Sequence, residues 1–164
     1  MEKDMIDSLQ DDWGEQRPDL DTEPLGVVLR IQALAKILGD QAAQRLFEFD
    51  MQWWQYDVLS ALRRQGKPYS MAATELADAA LLTSGAMTNR LDRLEQSGWL
   101  RRLPDEKDRR RVLVQLTDKG LALVENAAEA RFEAAGDALR NLTPAQMHQL
   151  SRLLRLTLLG QDET

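Results

Sequence analysis

One stretch of the sequence constrains the fold more than any other, because its pattern changes from helix to strand within residues 72–116. Two short amphipathic helices are predicted at 72–79 and 84–97, with a tight turn between them. Two strands are predicted directly afterwards, at 99–103 and 112–116, and a highly charged loop joins them. A helix-turn-helix followed at once by a basic β-hairpin is typical of a winged helix-turn-helix.

Helical patterns surround this unit on both sides. The predicted flanking helices cover residues 4–14, 24–39, 52–65, 118–140 and 144–159, and some or all of 41–49 is also expected to be helical. The second of these helices is expected to end near Gly39. The predicted fold class is therefore mainly α (α+β with a small β-hairpin wing): a winged helix-turn-helix with N- and C-terminal dimerisation helices.

The C-terminal helix carries more apolar surface than one small winged-helix unit can cover. Its leucines lie nearly all round the helix, at positions 150, 153, 154, 156, 158 and 159. A helix that is apolar all round is buried, and at a chain end the favoured cover is another subunit, so a homodimer is predicted. The expected organisation is one compact domain with an acidic extension at 1–23, a dimerisation region at 24–50 and 118–164, and a DNA-binding region at 51–117.

Composition excludes several functional classes. The 164 residues include no cysteine and a single histidine, His148, which leaves no thiol chemistry and little basis for histidine-based catalysis or metal binding. No glycine-rich phosphate loop or metal-ligand spacing occurs, so no enzyme, metal site or cofactor is expected. No apolar run approaches the roughly 20 residues that cross a bilayer. We expect a cytoplasmic protein with no membrane partner, because the acidic N-terminus is unlike a secretory signal.

Net charge is a poor guide to the partner of this protein. The chain carries a formal net charge of −6, but residues 1–24 account for −7, since they hold nine acids and two bases. Residues 101–111, by contrast, hold six bases against three acids. A field is felt mainly within a Debye length of about 10 Å, so this basic loop can contact phosphate on an acidic protein. Double-stranded DNA is the expected partner.

The second helix of the pair has a face suited to reading DNA. If Met87, Leu91 and Leu94 are buried, small hydroxyl and amide side chains face outward on its first turns. Asn89 can pair bidentately with adenine, and Arg93 suits a phosphate or a guanine. The predicted DNA contacts from this helix are Ser84, Gly85, Thr88, Asn89 and Arg93. The alternative is an ordinary solvated helix face.

The loop between the two strands is long enough to project arginines past the domain surface. We expect Arg109, Arg110 and Arg111 to reach a neighbouring minor groove, where narrow A-tracts attract guanidinium groups. We expect Asp108 to hold one of these arginines in shape rather than to contact DNA. The alternative is a charged loop without a role, which would be favoured if no helix pair preceded it.

Two charged residues occupy positions where the helical pattern predicts apolar ones. In the helix predicted at 52–65, Asp57 lies on the expected inward face with Trp54 and Val58. In the helix predicted at 84–97, Arg90 lies on the expected inward face with Met87. A buried charge without a partner costs several kcal/mol. From the residues alone, a structural ion pair between Asp57 and Arg90 is the favoured interpretation.

The segment from Leu91 to Thr117 resembles a known family. The run LDRLEQSGWL at 91–100, followed by Asp105, Asp108 and Arg110, is similar to the MarR family of winged-helix transcriptional regulators, whose wing signature is D-x-R-D-x-R. Lys107 stands where that signature has an arginine, which keeps the charge. The resemblance implies a homodimer and makes Arg110 the wing-tip residue.

Within that family the sequence resembles most the PecS-like, urate-responsive branch. The residues that carry this resemblance are Trp13, the stretch 17–21, Asp57, Arg90 and Arg102. It implies that Trp13, Asp57, Arg90 and Arg102 bind urate, a flat monoanion that Trp13 can stack on and Arg102 can pair with bidentately. The anion would repel Asp57, and the displacement of Asp57 would pull Arg90. This would tilt the recognition helix, which is the second helix of the pair at 84–97. The alternatives are a core-packed Trp13 and a solvated or phosphate-contacting Arg102.

The predicted function is a sequence-specific regulator of transcription that binds double-stranded DNA. We expect a repressor that urate or a related purine anion releases from a palindromic operator, with this effector as its small-molecule partner and no cofactor. Two alternatives stay open. One is a MarR-type regulator that responds to a phenolic or drug-like ligand, and the other is a winged-helix module for protein assembly.

Overall fold

The computed structural model describes residues 3–80, 82–105, 108 and 111–161. The helices are α1 (Met5–Gln16), α2 (Glu23–Phe47), α3 (Trp53–Arg64), α4 (Ala73–Ala79), α5 (Ser84–Gln96), α6 (Asp118–Ala138) and α7 (Pro144–Leu159). The strands are β1 (Ser70–Ala72), β2 (Leu100–Pro104) and β3 (Val112–Leu116). The predicted fold class, mainly α with a winged helix-turn-helix, is confirmed. Within these ranges no helix has both the length and the apolar character needed to cross a membrane.

The chain forms two compact units, Met1–Ala42 and Ala43–Thr164. The first unit is held together by an ionic cluster at the start of α1. Asp4 caps this helix by accepting hydrogen bonds from the backbone N–H groups of Ile6 and Asp7. The Arg30 guanidinium on α2 donates to Asp4 (2.9 and 3.0 Å) and to Asp7 (2.7 Å). The Arg30 hydrogen bond is the main reason that the pKa of Asp4 is lowered.

The core of the second unit lies between α3, α5, α6 and the sheet. Leu59 and Leu62 from α3 are fully buried, as are Leu91 and Leu94 from α5 and Val124 from α6. Complete burial of an aliphatic side chain of this size is worth about 1.5–3 kcal/mol relative to exposure. The α5 helix is therefore anchored along one apolar stripe.

A three-stranded antiparallel sheet, in the order β1-β3-β2, forms the wing. The hairpin of β2 and β3 lies where the sequence predicts it. The β1 strand is an addition, since Ser70 and Ala72 pair with Gln115 and Leu113 of β3. Three residues are too few to show a period of two, so this strand leaves no recognisable pattern in the sequence.

The second helix does not end near Gly39, so that prediction was wrong. The α2 helix continues without interruption to Phe47 and joins the two segments that the pattern separated. A glycine inside a helix costs only about 1 kcal/mol relative to alanine. No proline follows to remove a backbone donor, and the helical pattern resumes at once, so this cost is outweighed.

We expect Gly120→Ala to lower the free energy of unfolding by about 1–3 kcal/mol. Gly120 lies in the first turn of α6, and an added Cβ would overlap the backbone carbonyl oxygen of Trp99. Urea denaturation followed by circular dichroism measures the change. Gly136→Ala is the matched control on the same helix, where the added carbon meets open space. We expect the control to stabilise by about 0.5–1 kcal/mol, and equal effects of the two variants would contradict this packing.

Candidate nucleic-acid interface and effector cavity

The recognition helix α5 divides into a buried stripe and an exposed face. Met87, Leu91 and Leu94 are at most 1% exposed, as the sequence predicted. The α4 helix supplies Leu76 and Ala77 to the same core. The predicted DNA-contact residues Ser84, Gly85, Thr88, Asn89 and Arg93 are all exposed. The side chain of Thr83 caps the helix by accepting from the N–H of Ala86.

The exposed residues of α5 differ in whether their side chains already have hydrogen-bond partners. The Thr88 hydroxyl donates to the Ser84 carbonyl at 2.8 Å, so a DNA partner would share it with the backbone. The side chains of Asn89 and Arg93 have no hydrogen-bond or ionic partner among the residues that the structure describes. Both are therefore available to contact base edges or phosphates. Their contact with DNA stays a prediction.

The base of the wing is fastened to the helix-turn-helix by ionic contacts. Arg111, at the start of the return strand, pairs with Glu75 of α4 at 2.7 Å, so its guanidinium is already engaged. The backbone carbonyl of Asp108 accepts the N–H of Arg111 at 2.8 Å. Arg109 and Arg110 lie outside the described residues, and the DNA contacts predicted for them stay predictions.

Arg102, on β2, is held by the recognition helix. Its guanidinium pairs with Asp92 and with Glu95, both at 2.7 Å, and donates to the Thr88 carbonyl at 3.2 Å. Glu95 also accepts the backbone N–H of Arg102 at 2.9 Å. We call this group of contacts the β2–α5 clasp. It links the wing strand to α5, and it gives Asp92 and Glu95 a role that the sequence does not predict.

A cavity of about 340 Å³ opens between α3, α4 and α5 in the second unit, and we call it the α3–α5 cavity. Its charged lining consists of Asp57, Arg64 and Arg90. The rest of the lining is small and apolar: Val58, Ala61, Leu76, Ala79 and Ala80. The structure thus brings together Asp57 and Arg90 from the predicted ligand site. Arg102 does not line this cavity, because it is held in the clasp.

The prediction that Asp57 faces inward was wrong. The buried residues of α3 are centred on Val58, Leu59 and Leu62, and a helix turns about 100° per residue, so Asp57 falls on the solvent-facing edge of that stripe. Its carboxylate keeps contact with water but stands in a concave surface. Partial loss of hydration raises the pKa of Asp57, against the opposing fields of Arg64, Arg90 and Arg131.

Arg90 is half-buried, but it does not form the predicted structural ion pair with Asp57. No ion pair joins these two residues, both of which the structure describes. The Arg90 guanidinium instead lies over the Trp54 ring, 5.4 Å from its centroid. A guanidinium over an aromatic ring keeps its hydrogen-bond donors available, because they point outward in the plane of the guanidinium. Arg90 is therefore positioned as a donor at the cavity wall.

Trp13 lies on α1 in the first unit and is 46% exposed. The alternative that it packs into the core is therefore not supported within its own unit. Next to it, Arg17 donates to Trp13 through its backbone N–H and pairs with Asp19 through its guanidinium. The indole is available to a ligand, as the resemblance implies, and this role stays a prediction.

Sequence reasoning missed Arg64 as well as the two clasp carboxylates. Arg64 follows Asp57 by seven residues, a spacing that puts both on the same face of a helix and could have revealed it. Asp92 and Glu95 are three residues apart, which likewise puts them on one face. Their partner on β2 is fixed only by tertiary structure. The described residues contain no cluster of acids or histidines suited to a metal ion.

A helix-turn-helix with an exposed recognition helix and a three-stranded wing defines a DNA-binding winged-helix protein. Comparison with known proteins gives its family. Residues 49–111 match the family model described as MarR family. The regulator PecS of Dickeya dadantii is 37% identical over 150 residues, which cover 91% of this chain and 90% of that protein. The chain belongs to the MarR family.

Further relatives and solved structures agree with this family. The multiple antibiotic resistance protein MarR of Salmonella typhimurium is 34% identical over 67% of this chain and 75% of its own. A cysteine-to-serine mutant of MarR from Escherichia coli, complexed with operator DNA, has a TM-score of 0.69 at 28% identity, covering 89% of this chain and 97% of its own. Sco3205 from Streptomyces coelicolor, in complex with DNA, has a TM-score of 0.73 at 28% identity, covering 86% and 89%.

The protein is thus a DNA-binding transcriptional regulator of the MarR family, and its relatives are regulators rather than enzymes. This confirms the resemblance and the prediction that the chain is not an enzyme. It also sets aside the alternative of a winged-helix module that serves only in protein assembly.

We expect Glu95→Gln to lower the free energy of unfolding by about 1 kcal/mol, because it removes a charged acceptor from the half-exposed β2–α5 clasp. Chemical denaturation measures the change. Glu48→Gln is the matched control, since Glu48 pairs with Arg45 at 3.5 Å on the exposed surface. We expect the control to change stability by less than about 0.3 kcal/mol. A similar loss in both variants would show that the clasp does not hold the wing strand to α5.

Proposed function

We propose that this protein is a homodimeric repressor that binds a palindromic operator and is released from it by urate or a related purine anion. The observation that carries the proposal is the α3–α5 cavity. It places two guanidinium groups and one carboxylate directly beside the helix that reads DNA. A planar anion bound there acts on the recognition helix without touching its DNA-facing residues.

Support for the DNA-binding part comes from α5. Its exposed first turns present hydroxyl, amide and guanidinium groups of the kind that contact base edges and phosphates in a major groove about 12 Å wide. Two structures with the same fold are complexes with DNA. Asn89 is the residue assigned to base reading, and Arg93 is assigned to phosphate or guanine.

Support for the homodimer comes from α7, which buries no residue within its own chain. Leu156, Leu158 and Leu159 are 59%, 70% and 58% exposed. A groove of about 380 Å³ with a largely apolar lining, which includes Leu139, Met147 and Leu150, runs along the same helix. Contiguous apolar surface of this kind marks a protein–protein interface. A two-fold dimer sets two recognition helices about 34 Å apart, which matches one turn of DNA.

Support for the effector comes from the chemistry of the cavity. Urate is a flat monoanion with several oxygen acceptors, and Arg90 is held at the wall by Trp54 with its donors available. Asp57 repels the anion and feels the field of Arg90, so binding of the anion changes the electrostatic forces on that arginine of α5. In this proposal Arg102 keeps the urate contact that the family resemblance implies. Its guanidinium becomes available to an anion only when Asp92 and Glu95 release it, which opens the β2–α5 clasp.

One observation favours a second candidate effector, a phenolic or drug-like anion. A separate cavity of about 270 Å³ in the second unit is lined by two aromatic rings, Phe47 and Trp54, and by one charge of each sign, Arg93 and Asp50. The two rings and the guanidinium are groups that bind an aromatic carboxylate. Salicylate is therefore the comparison ligand in the experiments that follow.

We expect the unmodified protein to shift DNA from its own upstream region in an electrophoretic mobility assay, with two chains per site. Asn89→Ala should relax base preference at one position in each half-site, because it removes one bidentate contact worth about 1–3 kcal/mol. A panel of singly substituted operators measures this effect. Arg93→Gln separates the two assignments of Arg93, because loss of a phosphate contact weakens binding to all operators alike, whereas loss of a guanine contact relaxes preference at one position. A single chain per site, or an unchanged preference in Asn89→Ala, would contradict the assignments.

We expect Asp57→Ala to bind the operator as the unmodified protein does but to lose most of its response to urate. The carboxylate lines the cavity rather than the DNA-facing surface, so its removal uncouples the anion from α5. Release of the operator is titrated with urate and, separately, with salicylate. Asp137→Ala removes an exposed carboxylate of α6 outside the cavity and serves as the control. A normal urate response in Asp57→Ala would refute the switch, and release by salicylate alone would favour the second effector class.

A further inference from the structure

We propose that Arg64, at the end of α3, is an effector-binding residue that holds the planar anion together with Arg90 of α5. This inference rests on the proposed anionic effector and adds a ligand group that the family resemblance does not assign. It makes the anion a bridge between two helices that contribute to one cavity.

Arg64 is placed where it can contact a ligand in the cavity. Arg64 and Asp57 are seven residues apart on α3, and both line the α3–α5 cavity, to which α5 contributes Arg90. The cavity volume of about 340 Å³ falls within the range of small-molecule sites. Its remaining walls are small aliphatic side chains from α3 and α4, which leave the guanidinium groups as the hydrogen-bond donors of the lining. A flat ligand in this space meets both arginines.

Arg64 has no ion pair or hydrogen bond among the described residues, and its charge reaches Asp57 only as a field. Its neighbour Arg63 pairs with Glu125 and lies over the ring of Tyr69. Like Arg64, Arg90 has no ion pair or hydrogen bond within the part of the chain that the structure describes. Asp57 is the single carboxylate of the lining. The cavity therefore carries a net positive charge, which favours a monoanion.

Arg102, the other arginine implied by the family resemblance, is less available to a ligand than Arg64. Its guanidinium already has two carboxylate partners on α5, and an anion has to displace them. Arg64 has no such competition, so its donors are available for first contact with the anion. A guanidinium presents planar paired donors that match two oxygens of an oxidised purine. In this arrangement Arg64 and Arg90 hold the anion in the α3–α5 cavity.

The test is isothermal titration of the full chain with urate, in the absence of DNA. We expect Arg64→Gln to raise the Kd for urate at least tenfold, because it removes a charge-assisted contact. We expect Arg64→Lys to bind several-fold more weakly than the unmodified protein, because it keeps the charge but loses the paired donors. Affinity for operator DNA without urate should not change in either variant, since the cavity lies away from the exposed face of α5.

Arg131→Gln is the matched control. The field of Arg131 also reaches Asp57, but its guanidinium stacks on Trp53, 4.7 Å from the ring centroid, and does not line the cavity. We expect its Kd for urate to stay within about twofold of the unmodified protein, a free-energy change below about 0.5 kcal/mol. Equal weakening in Arg64→Gln and Arg131→Gln would overturn the proposal, because it would show a distant field rather than a contact.

The remaining outcomes separate this inference from the proposed function. Urate binding to the unmodified protein, with the same Kd in Arg64→Gln, overturns the assignment of Arg64 and leaves the effector intact. No urate binding to the unmodified protein overturns the effector itself. If Arg64→Gln fails to fold, Arg64→Lys decides the question, since an unchanged Kd in that variant excludes a paired-donor contact.

Discussion

The burial of one apolar stripe of α5 is the interaction on which the rest of the structure depends. Met87, Leu91 and Leu94 are almost completely removed from water, and each contributes on the order of 1.5–3 kcal/mol. Because a helix has a fixed pitch, burying this stripe also decides where every other residue of α5 points. Asn89 and Arg93 face solvent, Arg90 falls at the edge of the α3–α5 cavity, and the acidic residues of the last turns meet the wing.

In the proposed switch, this arrangement lets a small ligand act on DNA binding without competing for the same residues. The α5 helix is rigid over three turns and a half, and its flanks are tied to two different neighbours. On one flank Arg90 borders the cavity, and its guanidinium lies over the Trp54 ring. On another, Asp92 and Glu95 hold the wing strand through Arg102. A ligand that alters either attachment shifts the DNA-reading face with it, because the helix moves as one body.

For several of these attachments the sequence shows which residues are present, but it does not show which of them contact each other. The placement of the helices, the hairpin and the exposed face of α5 followed from hydrophobic periodicity, and the wing motif indicated the family. The inward placement of Asp57 was wrong because its helix buries a stripe centred one residue further on. The ion pair expected for Arg90 is replaced by stacking on an aromatic ring, a choice that depends on how α3 packs beside α5. The end of a helix at Gly39 was wrong because one glycine costs less than the turns around it contribute.

The sequence by itself determined the class of fold, the helix that reads DNA and the family to which the regulator belongs. These depend on local patterns of apolar residues, on caps and on a contiguous motif, all of which act over a few turns or one hairpin. Only the tertiary structure decided which charges meet: that Glu95 holds Arg102, that Glu75 holds Arg111, and that Arg64 shares a cavity with Arg90. The sequence pattern does not show which charged side chains pair. Their pairing depends on which of them lie close together once the helices and strands have packed.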